Sequence, residues 1–127
     1  MFEADRTLRE SMEGVREPGD FGYAIRNFLD RFYAAPTAAW LADEPELLSP
    51  RLADEGLADA WVAAVAEQLA SVNSFPCPPW ATRHERVKKT PWFAAKSPNL
   101  KAILLQESPA AFRVRNLFVS ANALSRA

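Results

Sequence analysis

Cysteine and histidine each occur once in this sequence. One thiol cannot close an intrachain disulfide, so nothing points to an oxidising compartment. One Cys and one His also leave no ligand cluster for zinc, which normally draws on three or four N, S or O donors. Long hydrophobic runs are missing. The longest, such as Trp61–Ala66, fall far short of the ~20 residues that span a bilayer. The opening Met1-Phe-Glu-Ala-Asp-Arg lacks the basic-then-apolar order of a signal peptide. A soluble cytoplasmic protein is expected, with no cofactor, no metal and no membrane contact. Glycine stops at Gly56, so the C-terminal half holds no glycine-rich phosphate cradle. β-Branched residues are also few: 13 Val, Ile and Thr together, against 23 Ala and 13 Leu. Ala and Leu favour helix, whereas sheets are enriched in β-branched residues. The composition predicts a mainly α fold, a single compact helical domain of five to seven helices over residues 1–127.

The net charge of −1 conceals a split. Residues 1–79 carry 14 acids against six arginines, a balance of −8. Residues 80–127 carry nine bases against two acids, a balance of +7, and hold all four lysines. Such asymmetry implies an acidic partner for the basic half, or one half neutralising the other. The halves meet in a proline-rich strap at about 73–83, where Pro76, Pro78 and Pro79 oppose helix and favour extended, polyproline-like chain. The 48 residues beyond Pro79 would make a thin core alone, so one domain crossed by a strap is expected.

Helical periodicity is clearest over residues 21–34, where Phe21, Ile25, Phe28, Leu29 and Phe32 form a stripe and Arg26, Asp30 and Arg31 lie away from it. Burying each phenylalanine contributes roughly 1.5–3 kcal/mol, which makes this a core helix. Pro36 ends it, because the residue before a proline is pushed out of the α region. A charged helix over 2–16 precedes it, followed by a break at Pro18-Gly19, with Asp20 as the next N-cap. Thr37 caps a short helix to about Leu41, Pro45 starts a brief turn, and Pro50 closes this acidic connector. A helix over 54–72 comes next, capped by Asp54, with Leu57, Trp61, Val65, Leu69 and Val72 on one face and Asp59 near its positive end. Ser97-Pro98 and Ser108-Pro109 each set a cap before a proline, predicting helices at about 98–107 and 109–117. A short helix capped by Ser120 comes last, although Leu117-Phe118-Val119 also suits a strand.

Chemistry-bearing clusters are sparse. Cys77 and His84 are the only thiol–imidazole candidates, and no motif surrounds them. A packed residue in the strap and a surface histidine are the plainer reading, so no enzyme is expected. Asp43-Glu44-Pro45-Glu46 and Asp54-Glu55 lack the alternating spacing and glycine of a calcium loop and read as solvated connector. The basic stretch is the strongest lead. Arg83, Arg86, Lys88 and Lys89 precede Trp92-Phe93, with Trp80 upstream and Lys96 beyond. Cations neutralise phosphates and indole rings stack on bases, which suits nucleic acid. Pairing with the acidic half and contact with a protein partner are the other readings, and all three stay open. Arg113 and Arg115 join this set, although on a helix they diverge by about 200°. The close helices at 98–107 and 109–117 faintly suggest a helix-turn-helix, with Ser-Pro where that motif has a longer turn, often with Gly.

Residues 107–127, Glu-Ser-Pro-Ala-Ala-Phe-Arg-Val-Arg-Asn-Leu-Phe-Val-Ser-Ala-Asn-Ala-Leu-Ser-Arg-Ala, with Thr90-Pro-Trp-Phe-Ala upstream and Phe-Leu-Asp-Arg-Phe-Tyr at 28–33, carry a resemblance. The chain resembles small uncharacterised bacterial proteins encoded beside predicted nucleotidyltransferases, in an arrangement that suggests toxin–antitoxin pairs. The likeness lies mainly in residues 90–127 and brings no catalytic residues. It implies an accessory protein that binds a protein partner, as an antitoxin to a nucleotidyltransferase-like toxin. The alternative is a nucleic-acid-binding regulator that uses the basic 83–115 region.

Overall fold

The phenylalanine stripe forms a core helix, but that helix begins earlier than its apolar pattern. In the computed structural model, which describes residues 7–125, α2 spans Pro18–Ala34. Pro18 sits in the first turn, where a missing N–H goes unnoticed. The Asp20 carboxylate reaches back to the N–H groups of Arg16 and Glu17, both at 3.1 Å. Pro18-Gly19 is therefore the helix start and not a break, and Asp20 satisfies the cap from inside the first turn. Ile25, Phe28, Leu29 and Phe32 are buried as their spacing predicts, and α2 ends before Pro36. Ahead of it, α1 (Leu8–Met12) is held by a capping box. The Glu10 N–H donates to Thr7 Oγ1 and the Thr7 N–H to the Glu10 carboxylate. Residues 2–6 of the expected first helix, Phe2 among them, lie outside the described residues.

The acidic connector folds differently from its punctuation. After α3 (Ala39–Ala42), residues 44–48 are irregular, and Pro45 starts no turn. Pro50 opens α4 (Ser49–Leu52) instead of closing the connector. Asp54 does cap the next helix, accepting from the N–H groups of Gly56 at 3.1 Å and Ala58 at 2.9 Å. That helix, α5, spans Leu57–Val72. It is the central element: Ala58, Ala60, Val62, Ala63, Ala64, Val65, Ala66, Leu69 and Ala70 are all buried. Burial on nearly every side marks a helix surrounded by the rest of the fold. Its alanines let α4, α7 and the chain after the strap approach closely.

Of the expected strap at 73–83, Asn73 and Ser74 form a turn, Ser74 with φ +59°, and only residues 75–78 are without turn, bend or helix. Pro79–Thr82 and His84–Arg86 then wind into two 3-10 turns. Trp80 anchors the first, its indole N–H donating to the Leu41 carbonyl at 2.9 Å. Beyond β1 (Trp92–Phe93), Ser97 caps α6 (Pro98–Glu107) by accepting from the Leu100 N–H, as the Ser-Pro signal predicts. The second Ser-Pro behaves otherwise. Helix α7 covers only Ala110–Arg113, and the chain leaves helical geometry at Asn116, whose φ is +64°. Leu117–Phe118 becomes β2, pairing in parallel with β1. Residues 117–118 therefore form a strand, and Leu117 and Val119 are buried in the core. Ser108 starts no helix; it closes α6 instead, its N–H and hydroxyl both donating to the Leu104 carbonyl, and its buried hydroxyl also accepts from the Val119 N–H at 2.9 Å. Ser120 starts a turn, not a helix. With α7 at four residues, no second helix of helix-turn-helix length exists there. The described residues hold seven α-helices and one hydrophobic cluster running from Leu8 to Leu124. The protein is a mainly α single domain.

Candidate functional site

The basic residues singled out in the sequence part into two groups. Arg86, Lys88 and Arg115 point inward. Arg86 is fully buried and donates to the Glu44 carboxylate at 3.0 Å and to the Pro45 carbonyl at 2.5 Å. Its guanidinium lies 3.7 Å from the buried Asp59 carboxylate and 5.0 Å from the centre of the Trp80 ring. Arg115, 3% exposed, donates to Glu67 and to the carbonyls of Ala111 and Ala81, each at 2.6 Å. Lys88 is buried beside the Glu55 carbonyl, 3.5 Å away. Arg86 and Arg115 are spent in pairing with acids of the first half, the second of the readings open from sequence, whereas Lys88 meets only a backbone carbonyl. Glu44 and Asp59 complete the picture. Glu44 also accepts from Arg83 at 2.7 Å, so this part of the connector is paired and not merely solvated. Asp59 accepts from the N–H groups of Leu48 at 2.6 Å and Ser49 at 3.1 Å.

The second group faces outward. Arg83 is exposed but engaged with Glu44. Lys89, Lys96 and Arg113 are exposed and make no ion pair among the described residues. Trp92 is half-buried, its ring meeting Trp61 edge to face at 5.8 Å. Lys96 and Lys101 frame a surface that sequence inspection missed. On α6 only Leu104 is buried among the apolar side chains, while Leu100, Ile103 and Leu105 are each 49% exposed. Lys101 lies over the Phe93 ring at 5.2 Å, and Phe93 stacks on Phe118 at 4.9 Å. Apolar residues at 100, 103, 104 and 105 spread over more than one face of a helix. That spread was the available signal, since a helix resting on a core needs only one such face.

Cys77 and His84 are not joined by any hydrogen bond or ion pair among the described residues. The His84 ring faces Glu85 at 3.5 Å. Partial burial pushes the Cys77 thiol above its ordinary pKa; Glu67 raises it further and Arg115 opposes the rise. No group of three or more His, Cys, Asp or Glu able to hold a metal exists among the described residues. A cleft of about 680 Å³ runs between the α5 start and the segment 84–90, with Asp59, Glu85, Lys88 and Lys89 in its walls. Glu55 lines it as well, so residues of both charge signs border the cleft. A second groove, of about 360 Å³, is apolar and lies between α2, Trp61, Trp92 and the turn at 123–125. Among the described residues no helix is long and apolar enough to cross a membrane. No protein-family model, curated protein or solved structure matches the chain.

Proposed function

We propose that this is a non-enzymatic cytoplasmic accessory protein that binds a protein partner through α6. One observation carries the reading: Leu100, Ile103 and Leu105 stay half exposed on a ten-residue helix. Exposed apolar side chains gathered on one element mark interaction surfaces more often than scattered ones do. Lys96 precedes the Ser97 cap of this helix and Lys101 lies in its N-terminal half, where the helix dipole is also positive. The surface suits an apolar patch rimmed by acids. The partner that the resemblance implies is a nucleotidyltransferase-like toxin, and the action is masking, as an antitoxin does. Co-expression with the product of the neighbouring gene tests this. The pair should co-purify, and Leu100→Asp with Ile103→Asp should abolish the association while leaving the fold intact. Two folded proteins that fail to associate would sink the proposal.

The exposed, unpaired Lys89, Lys96 and Arg113 favour a second reading, nucleic-acid contact. With three phosphate contacts the logarithm of affinity would fall with the logarithm of salt at a slope of about −2 to −3. An absence of binding to single or double strands at low salt eliminates this reading.

A further inference from the structure

Among the described residues, one charged side chain lines the apolar groove beside α2, and no acid answers it. Its walls come from Phe21, Ile25, Leu29, Trp61, Trp92 and Leu124, enclosing about 360 Å³. That volume falls within the range of small-molecule sites. Arg26 is the sole charged residue lining it among the described residues. Its guanidinium makes no hydrogen bond or ion pair there. It folds back along α2 towards Gly22, where an added Cβ would meet Nη1 at 3.4 Å. Glycine at this position leaves the guanidinium room against the backbone.

Ser125 adds a hydroxyl to the walls, able to donate or accept. The indole N–H groups of Trp61 and Trp92 have no acceptor among the described residues, although both rings line the groove. Apolar walls, the Arg26 guanidinium and no carboxylate among the described lining residues define the complement: a planar apolar body bearing an anion. A carboxylate matches the guanidinium fork with two parallel hydrogen bonds. The far wall is held in place by Tyr33, whose hydroxyl donates to the Leu124 carbonyl at 2.7 Å.

We propose that this groove binds a small aromatic carboxylate, with its ring against Trp61 and Trp92 and its carboxylate on Arg26. The site shares no residue with α6, so it stands or falls apart from the partner-binding surface. Calorimetric titration of the whole chain with 2-naphthoate, and with the neutral 2-naphthamide, tests it. The acid should bind saturably at one site and about tenfold tighter than the amide, the effect of a charge-assisted pair. Arg26→Gln should bring the acid down to the affinity of the amide with the urea midpoint unchanged, because Arg26 is exposed. Arg113→Gln, a loss of the same charge elsewhere, should change nothing. Absence of saturable binding, equal affinity for acid and amide, or an Arg26→Gln variant that binds the acid as before would each overturn the assignment.

Discussion

The buried guanidinium of Arg86 donates to the Glu44 carboxylate at 3.0 Å, joining residues 42 positions apart in the chain. The basic half and the acidic half thus neutralise one another inside the fold at this point. The geometry is incomplete, since Arg86 Nε and Nη1 have no hydrogen-bond partner. Removing Arg86 strands the buried Asp59 carboxylate and leaves the partly exposed Glu44 without its partner. Arg86→Met should therefore lower unfolding free energy by about 3–5 kcal/mol, read from the urea midpoint. Adding Glu44→Gln to that variant should cost less than the sum of the two single changes. Full additivity would mean that the pair contributes nothing.

Arg113 and Arg115 are two residues apart and have opposite fates. Arg115→Ala strands the buried carbonyls of Ala81 and Ala111 and should cost about 3 kcal/mol or more. Arg113→Ala removes an exposed side chain and should stay within about 0.5 kcal/mol of the parent. Paired thermal melts check this, and equal shifts for the two variants would contradict it.

Ser108→Ala deletes the acceptor of the buried Val119 N–H. An unsatisfied buried donor costs about 1–3 kcal/mol. The variant should be less stable by that amount and melt lower, and the Val119 amide should exchange faster with deuterium than in the parent. Unchanged exchange at Val119 would show that this hydrogen bond does not hold the C-terminal strand.

Cys77 should be a poor nucleophile. Its pKa is raised, first by burial and then by Glu67, so the thiol form persists to higher pH than in an ordinary cysteine. Less thiolate is present at neutral pH, and the thiolate is the reactive form. Alkylation by iodoacetamide at neutral pH should be slower than for a small free thiol, with its rate inflection displaced upward. Glu67→Gln should move that inflection down. Fast alkylation at neutral pH would instead revive a catalytic role for this residue.

Local signals were legible where a single residue type answers a single backbone need. Ser97 before Pro98 marks the start of α6, Asp54 caps α5, and the phenylalanine spacing marks α2. Proline is ambiguous by itself. It stops a helix from within but suits the first turn, and so Pro18 and Pro50 both open helices where the sequence suggested a break. Nothing local separates Arg86 from Lys89. Both are cations in one short stretch, yet one meets Glu44 and Asp59 in the interior and the other meets water. Arg26 was equally hidden, because its place on the outer side of the stripe does not reveal what the turn at 123–125 brings near.

The amino-acid sequence by itself determined that the fold is mainly α, that it forms one domain, and that charge of opposite sign occupies its two halves. Composition and periodicity suffice for that, since helix propensity and apolar spacing act over a few residues. Tertiary structure alone decided which charges are spent in pairing and which remain exposed. It also decided that residues 117–118 extend beside residues 92–93, and that Trp61, Trp92 and Arg26 line one groove. Those outcomes depend on contacts between residues tens of positions apart, and the energy of each depends on the burial that the rest of the fold creates.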